Sequence, residues 1–345
     1  MSTFRFTAGP WNIHDGTDSF GPGHRPNYPI EEKIKRFAEI GLDGVQFHDD
    51  DAVPDMNHMT QQATIDYAKD VKKLLDKEGL FAEFVATRLW FDPHTDDGGF
   101  TASKKENRDY AIWRAKRSID IARALGTKKI QLWLAREGTL CAEGKNHVEK
   151  ILQLRDALNE ILTYGPEMLI LIEPKPNEPI DRSYAGTCGH ALALGAYTVD
   201  PNRVGVCIES AHSILSGLDP ANDMAFALAL NKLWGVHLND QNGARYDQDK
   251  SFGVENLRQA FNEVKVLNEN NYGDRGNFEC VGLDVKAMRT QPADDCYRHL
   301  INSKKIFMML LEKVKKFDYK FQEECVKTQN FEKLEMYVME LLMKG

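Results

Sequence analysis

Several features that would decide the class of this protein at once are missing from its sequence. Its six cysteines (Cys141, Cys188, Cys207, Cys280, Cys296 and Cys325) are scattered, with no CxxC or CxxH spacing, which excludes a thiolate metal site or redox pair. No stretch reaches the ~20 apolar residues needed to span a bilayer. The run from Phe4 to Trp11 is interrupted by Arg5 and Gly9, unlike a secretory leader. No block of Lys and Arg recurs beside aromatics, and the net charge is −8, so a polyanion such as nucleic acid would be repelled. A Gly-rich phosphate loop after an early strand is also lacking. The expectation is a reduced, cytoplasmic protein with free thiols, no nucleic-acid partner and no membrane partner.

What is present is ample core material: 42% of the 345 residues are hydrophobic and 10% aromatic. Short apolar runs alternate with helical patterns from end to end. The runs start at Phe4 (FRFTAGPW), Gly44 (GVQFHD), Leu80 (LFAEFVATRLW), Lys129 (KIQLWLAREG), Met168 (MLILIEPKP), Val204 (VGVCIES), Leu233 (LWGVHLND) and Phe278 (FECVGLDVK). Between them lie segments such as PIEEKIKRFAEIG, where Pro29 opens a helix and Ile30, Ile34 and Phe37 share a face. Eight such units predict a (β/α)8 TIM barrel over residues 1–317 rather than an open doubly wound sheet. Residues 318–345 form a short helical tail whose apolar residues, among them Phe321, Cys325, Phe331, Leu334, Tyr337 and Leu341, must pack on the barrel or on another subunit.

In such barrels the chemistry sits at the carboxyl ends of the strands, and here those ends are rich in hard-metal ligands. The second run ends in His48, Asp49, Asp50 and Asp51, and the fifth in Glu173 with Lys175 beyond it. The sixth ends in Glu209 with His212 three residues later. The seventh gives His237, Asn239 and Asp240, followed by Asp247 and Asp249, and the eighth supplies Asp284 or Glu279. Taken singly, an acidic residue at a strand end is most often a helix cap, and a lone histidine a hydrogen-bonded structural group. Carboxylates this dense, however, cannot all ionise together without cations to offset their repulsion. Oxygen ligands with one or two imidazoles suit Mg²⁺, Mn²⁺ or Co²⁺.

With these residues in place, the chain resembles the xylose isomerases over nearly its whole length up to about Phe317. The shared words are FHDDD from Phe47, DGGFTA from Asp97, LW..REG from Leu132, IEPKPNEP from Ile172, GHALA from Gly189 and QNG.RYDQD from Gln241. The resemblance implies two divalent cations and no organic cofactor. Glu173 and Glu209 would hold the first, structural cation, Glu209 bridging to a second, catalytic one held by His212, Asp247 and Asp249. Lys175 would polarise the substrate carbonyl, and His48, oriented by Asp51, would open the sugar ring. Trp11, Trp90 and Trp133 would wall the sugar pocket, Asn239 is a further substrate contact, and Phe20 falls where the family reaches into a neighbouring subunit. The DGGFTA loop is structural. Departures are His237, where the family has an aspartate ligand and the L-rhamnose isomerase and ketose epimerase branches have histidine; Ala86 for a threonine; and Trp90 for a phenylalanine. The pattern D.K..RT favours Asp284 as the last ligand, with Glu279 the alternative.

The implied activity is metal-assisted aldose–ketose isomerisation by a hydride shift, on a small sugar or sugar conjugate, in a homo-oligomer. An enolising reaction of the same fold is the alternative: a ketose epimerase, or a subunit that cleaves 3-oxo C-glycosides beside a second subunit type. A non-catalytic sugar-binding scaffold has no need of Lys175, His48 and both aspartates of the DQD word.

Overall fold

In the computed structural model, which describes residues 3–244 and 246–344, eight parallel strands close into a barrel. They are β1 (Phe6–Ala8), β2 (Gly44–His48), β3 (Phe81–Ala86), β4 (Lys129–Trp133), β5 (Leu169–Glu173), β6 (Val204–Glu209), β7 (Leu233–His237) and β8 (Val281–Gly282). Each pairs with the next, and β8 returns to β1. All eight predicted runs contain a strand. Covered by helices outside and packed side chains inside, the strands are buried on both faces almost throughout, which is why they read as continuous apolar runs rather than alternating ones.

The eighth strand is the shortest, pairing only through Val281 and Gly282. Phe278 just before it takes a φ of 54°, turning the chain into the sheet. Gly282 leaves no room for a side chain, since a Cβ there would lie 2.7 Å from the His237 ring and closer still to the Gln46 amide.

The surrounding helices turn apolar stripes inward. Ile34 and Phe37 of the helix Ile30–Glu39 and Val71 and Leu75 of Gln61–Glu78 are buried against the strands. Each such side chain contributes about 1.5–3 kcal/mol of transfer free energy. Helix starts are fixed by side-chain caps: Thr60, Asn146, Thr187, Asp219 and Asn256 each accept a hydrogen bond from a first-turn N–H. The last outer helix, Arg298–Lys315, is followed by Tyr319–Lys327 and Phe331–Met343. Val338 is buried in this tail, and Leu334, Tyr337 and Leu341 lie against the barrel core, with the Tyr337 ring 5.5 Å from Phe317. All six cysteines are free thiols, five of them buried. Among the described residues no helix is long and apolar enough to cross a membrane.

Loops above the strands are tied down before they reach the site. A two-stranded ribbon pairs Gly138–Thr139 with Arg182–Ser183, and Lys175 donates its backbone N–H to Ala185. The buried Glu137 carboxylate accepts from the backbone N–H groups of Gly99, Phe100 and Thr101 and from the Thr101 hydroxyl, at 2.5–3.0 Å. The DGGFTA loop is therefore structural, as expected, with the glutamate of the REG word as its anchor.

Candidate metal centre

Strand register brings the polar residues to one level. His48, Glu173, Glu209 and His237 are the last residues of β2, β5, β6 and β7, and Glu209 lies directly beside His237 in the sheet. Asp284 lies two residues beyond β8. His212 is one turn into the short helix Ser210–Leu215, three residues after Glu209, so both side chains face the same way. Asp247 and Asp249 descend from the loop after β7. All of these residues line a single cavity of about 440 Å³, together with Lys175, Trp11, Trp90 and Trp133.

The ligand-type atoms fall into two groups that share Glu209. In the first, Glu173, Glu209, His237 and Asp284 place their donor atoms within 4.8 Å of one another. His237 Nδ1 is 3.6 Å from Glu173 Oε1, 3.6 Å from Glu209 Oε2 and 3.4 Å from Asp284 Oδ2. In the second, Glu209, His212 and Asp247 converge, His212 Nε2 lying 3.3 Å from Glu209 Oε1 and 3.0 Å from Asp247 Oδ2. Lys175 Nζ is 2.9 Å from Asp247 Oδ2 and 3.2 Å from Glu178 Oε2, and 5.0 Å from the centre of the Trp133 ring.

A divalent cation fits this arrangement. Both ring nitrogens of His237, Nδ1 of His212 and Oδ1 of Asp247 are buried without a hydrogen-bond partner, each a cost of about 1–3 kcal/mol if nothing else engages it. The donors are carboxylate oxygens and imidazole nitrogens, the set that Mg²⁺, Mn²⁺ and Co²⁺ accept. Electrostatics point the same way. Burial, reinforced by neighbouring Asp247, pushes the Glu209 carboxyl well up, and burial with Asp247 and Asp284 does the same to Asp249. Burial acts on Glu173 too, but His237 and His212 outweigh it and hold that carboxyl at about 2. For Lys175, burial opposes the charge, and Asp247 with Glu178 more than restores it. Burial opposes charge on the His212 and His237 rings as well, yet Glu209 with Asp247 raises the first and Cys207 with Glu173 the second, so this crowd of carboxyl groups draws positive charge to itself.

The ligand-bearing side chains are themselves held. Trp11 Nε1 and Asn12 Nδ2 both donate to Asp284 Oδ1 at 2.8 Å, and the Gln131 amide donates to Glu173 Oε2. Asp249 sits at φ 45°, a strained conformation for a non-glycine residue, fixed by the Lys286 N–H on its carbonyl at 2.7 Å and by Asn239 Nδ2 on its carboxylate at 3.1 Å.

Two residues named from sequence lie away from the cavity. Asn239, read from sequence as a substrate contact, is 1% exposed beneath the cavity. Its amide is spent on Glu209 Oε1 (2.7 Å), Asp249 and the Asp284 carbonyl, while its oxygen accepts from Ala211 N–H; it orients ligands and touches no open space. Glu279, the alternative last ligand, lies before β8 at the opposite end of the barrel, accepting from the N–H groups of Arg275 and Asn277. Phe20 is off the cavity wall. It is 97% exposed and borders a second hollow of about 620 Å³, which shares Glu178, Asp247 and Lys286 with the first.

His48 and Asp51 are paired as expected, Nδ1 lying 2.8 Å from Asp51 Oδ2. The His48 ring packs on Trp11 at a tilt of 36° with centroids 4.1 Å apart, and Trp90 meets Trp133 edge-on at 4.5 Å. Arg88, which no sequence pattern flags, brings Nη2 to 2.5 Å of the same His48 Nδ1 and lies beside Asp50 and Asp51. The two carboxylates beside His48, Asp50 and Asp51, are therefore offset by a guanidinium. Gln131, Glu178 and Lys286 also line the cavity unannounced. For Gln131 a signal existed: a polar residue inside an apolar strand, two positions before Trp133 and so on the same face.

A family model described as xylose isomerase-like TIM barrel matches residues 34–273. The chain belongs to that family. It is 32% identical over 320 residues to the xylose isomerase of Thermus thermophilus, covering 91% of this chain and 80% of the relative. Among solved structures it is similar in fold to an L-ribulose 3-epimerase, with a TM-score of 0.65 at 12% identity, covering 91% of this chain and 96% of that one. It is likewise similar to a 3-keto-D-glucoside 4-epimerase from E. coli, with a TM-score of 0.61 at 15% identity, covering 88% and 100%.

Proposed function

We propose that the protein is a divalent-cation-dependent aldose–ketose isomerase acting on a small sugar or sugar conjugate. The observation that carries this reading is the pair of ligand groups sharing Glu209, with Lys175 beside the second and the His48–Asp51 pair in the same aromatic-walled cavity. The 32% identity to a xylose isomerase supports it.

Glu173, Glu209, His237 and Asp284 would hold one cation and Glu209, His212, Asp247 and Asp249 a second; bound there, Mg²⁺, Mn²⁺ or Co²⁺ supplies orientation and Lewis-acid polarisation of substrate oxygens. The chain's own groups do the rest. With Nδ1 given to Asp51, His48 uses Nε2 to take the proton of the anomeric hydroxyl and deliver it to the ring oxygen, opening the sugar to its carbonyl form. Lys175, kept charged by Asp247 and Glu178, donates a hydrogen bond to the carbonyl oxygen as charge develops on it. Asp249 takes up the proton of the neighbouring hydroxyl, hydrogen passes between the adjacent carbons as hydride, and Asp249 returns its proton to the oxygen that had been the carbonyl. Trp11, Trp90 and Trp133 pack on the apolar faces of the sugar and exclude water.

A second reading rests on His237. With Glu173, Glu209 and Asp284 it completes a four-ligand group without the second set, sufficient for an epimerase or lyase that removes a proton beside a ketone. A sugar panel assayed in D₂O with each cation, after chelation, decides. Isomerisation that returns with added cation and retains substrate hydrogen supports the first reading; deuterium entering at carbon favours the second; undiminished turnover after complete chelation refutes both. The nearly bare Phe20 ring is proposed to reach a neighbouring copy of the chain in a homo-oligomer, which light scattering of wild type and Phe20→Ser would test.

A further inference from the structure

Two charged groups contend for one nitrogen at the edge of the cavity. His48 closes β2 beside Ala86 of β3, and Arg88 follows two residues later, lining the same cavity. Asp51 Oδ2 lies 2.8 Å from His48 Nδ1, and Arg88 Nη2 lies 2.5 Å from that same atom. In a neutral imidazole Nδ1 carries either a hydrogen or a lone pair. A carboxylate only accepts, so the Asp51 contact needs the hydrogen. A guanidinium only donates and keeps its hydrogens in a protein, so the Arg88 contact needs the lone pair. The two contacts exclude each other.

Whichever group loses Nδ1 has another partner within reach. Asp51 Oδ2 also accepts from the His48 backbone N–H at 3.3 Å, and its Oδ1 lies 3.6 Å from Arg88 Nη2. Arg88 Nε lies 3.2 Å from Asp50 Oδ1, both atoms buried and neither in a well-formed hydrogen bond. We infer that Arg88 is a positioning residue that competes with Asp51 for His48 Nδ1 and so switches the imidazole between its two tautomers. With hydrogen on Nδ1, Nε2 keeps its lone pair and takes a hydroxyl proton, the step ring opening requires. With Nδ1 accepting from Arg88, the hydrogen sits on Nε2, and His48 donates a hydrogen bond to a substrate oxygen but takes no proton. The switch carries one proton between ring nitrogens by exchange with solvent and leaves the net charge unchanged. The inference rests on His48 being the proton carrier of the proposed reaction, and deepens that reading by making ring opening conditional on where Arg88 points.

The test reads the tautomer directly. Protein labelled with ¹⁵N-histidine and saturated with Mg²⁺, which is diamagnetic, is examined by two-bond ¹H–¹⁵N correlation at about pH 8.5, well above the ordinary histidine pKa of ~6.5. Among the ten histidines, His48 is the one whose ring signals vanish in His48→Gln. In wild type, Nδ1 should lack its hydrogen in at least about one molecule in ten. Arg88→Met should return the hydrogen wholly to Nδ1, and Asp51→Ala should drive it to Nε2. A merely structural arginine would alter melting without changing which nitrogen carries the hydrogen. If Arg88→Met folds poorly, Asp51→Ala carries the test, because Arg88 is then left facing Nδ1. A wild-type ring wholly protonated at Nδ1 and unmoved by Arg88→Met overturns the inference, as does a ring protonated on both nitrogens, or hydrogen remaining on Nδ1 in Asp51→Ala. No turnover enters these spectra, so such a result leaves the isomerase reading standing, and that reading fails separately if no sugar turns over with any cation.

Discussion

Ionisable groups are buried at both ends of this barrel, and the two ends treat them differently. Below, Glu83 accepts from the Thr7 hydroxyl at 2.5 Å and the Gln46 amide at 2.9 Å, and Lys129 gives hydrogens to the carbonyls of Trp234 and Phe278 at 2.7 and 2.9 Å. These charges close on protein groups and hold strands together. Above, neither nitrogen of His237 makes a well-formed hydrogen bond although three carboxylates lie 3.4–3.6 Å from Nδ1, and Glu209 and Asp249 are crowded by other carboxylates. A buried charge that is fully satisfied is architecture. One left open marks where something else is meant to bind, in keeping with the rule that orphaned buried polar groups demand an explanation.

The largest expected effect tests the upper end. Glu209→Gln should cut kcat/KM roughly 10³-fold or more, the loss of several kcal/mol of transition-state stabilisation, and should leave the melting temperature without cation unchanged or higher, because a crowded buried charge has gone. A variant that stays active, or that melts much earlier, breaks the contrast. The lower end should answer in reverse. Lys129→Met strands the buried Trp234 carbonyl and the half-buried Phe278 carbonyl and should cost about 1–3 kcal/mol in urea unfolding, while kcat/KM per folded molecule holds. Between the ends stands His299, whose Nε2–H donates to the Asn12 carbonyl at 2.9 Å and so steadies the residue that grips Asp284. Burial holds this histidine down at about 4, against 6.5 when unfolded. The unfolded chain therefore takes up a proton that the folded chain refuses as pH drops from 6.5 to 4. Stability should be full above this window and fall across it by about 3 kcal/mol at most. His299→Gln should flatten that part of the pH profile. The smallest effect is at Asn239: replacing it with Ala should weaken cation binding about 10- to 100-fold, read by calorimetry, and with it the fixed position of Asp249.

How much of this is readable from the sequence follows the same division. The barrel is legible because strands buried on both faces are written as unbroken apolar runs, and Glu173, Glu209 and His237 each close one. Asp284 is preferred over Glu279 because it lies nearer the strand's carboxyl end, and the fold puts the two at opposite ends. The depth of Asn239 is not legible, because sequence tells which strand end a residue occupies but not which layer, and its side chain meets Glu209 and Asp249 rather than open space. Arg88 escapes notice since a lone arginine on a loop carries no pattern; only the fold brings it against His48. The tail's helices are visible in its apolar spacing, whereas the face they cover, around Phe317, is not.

One carboxylate has an oxygen in each of the two ligand groups. With a cation proposed for each group, whatever charge Glu209 gives up on one side would no longer be fully available on the other, so filling the first position and filling the second would be linked equilibria, each altering the other by the same factor. A titration with cation should therefore depart from two independent isotherms, and its shape should collapse to a simple one when Glu209 is replaced by glutamine.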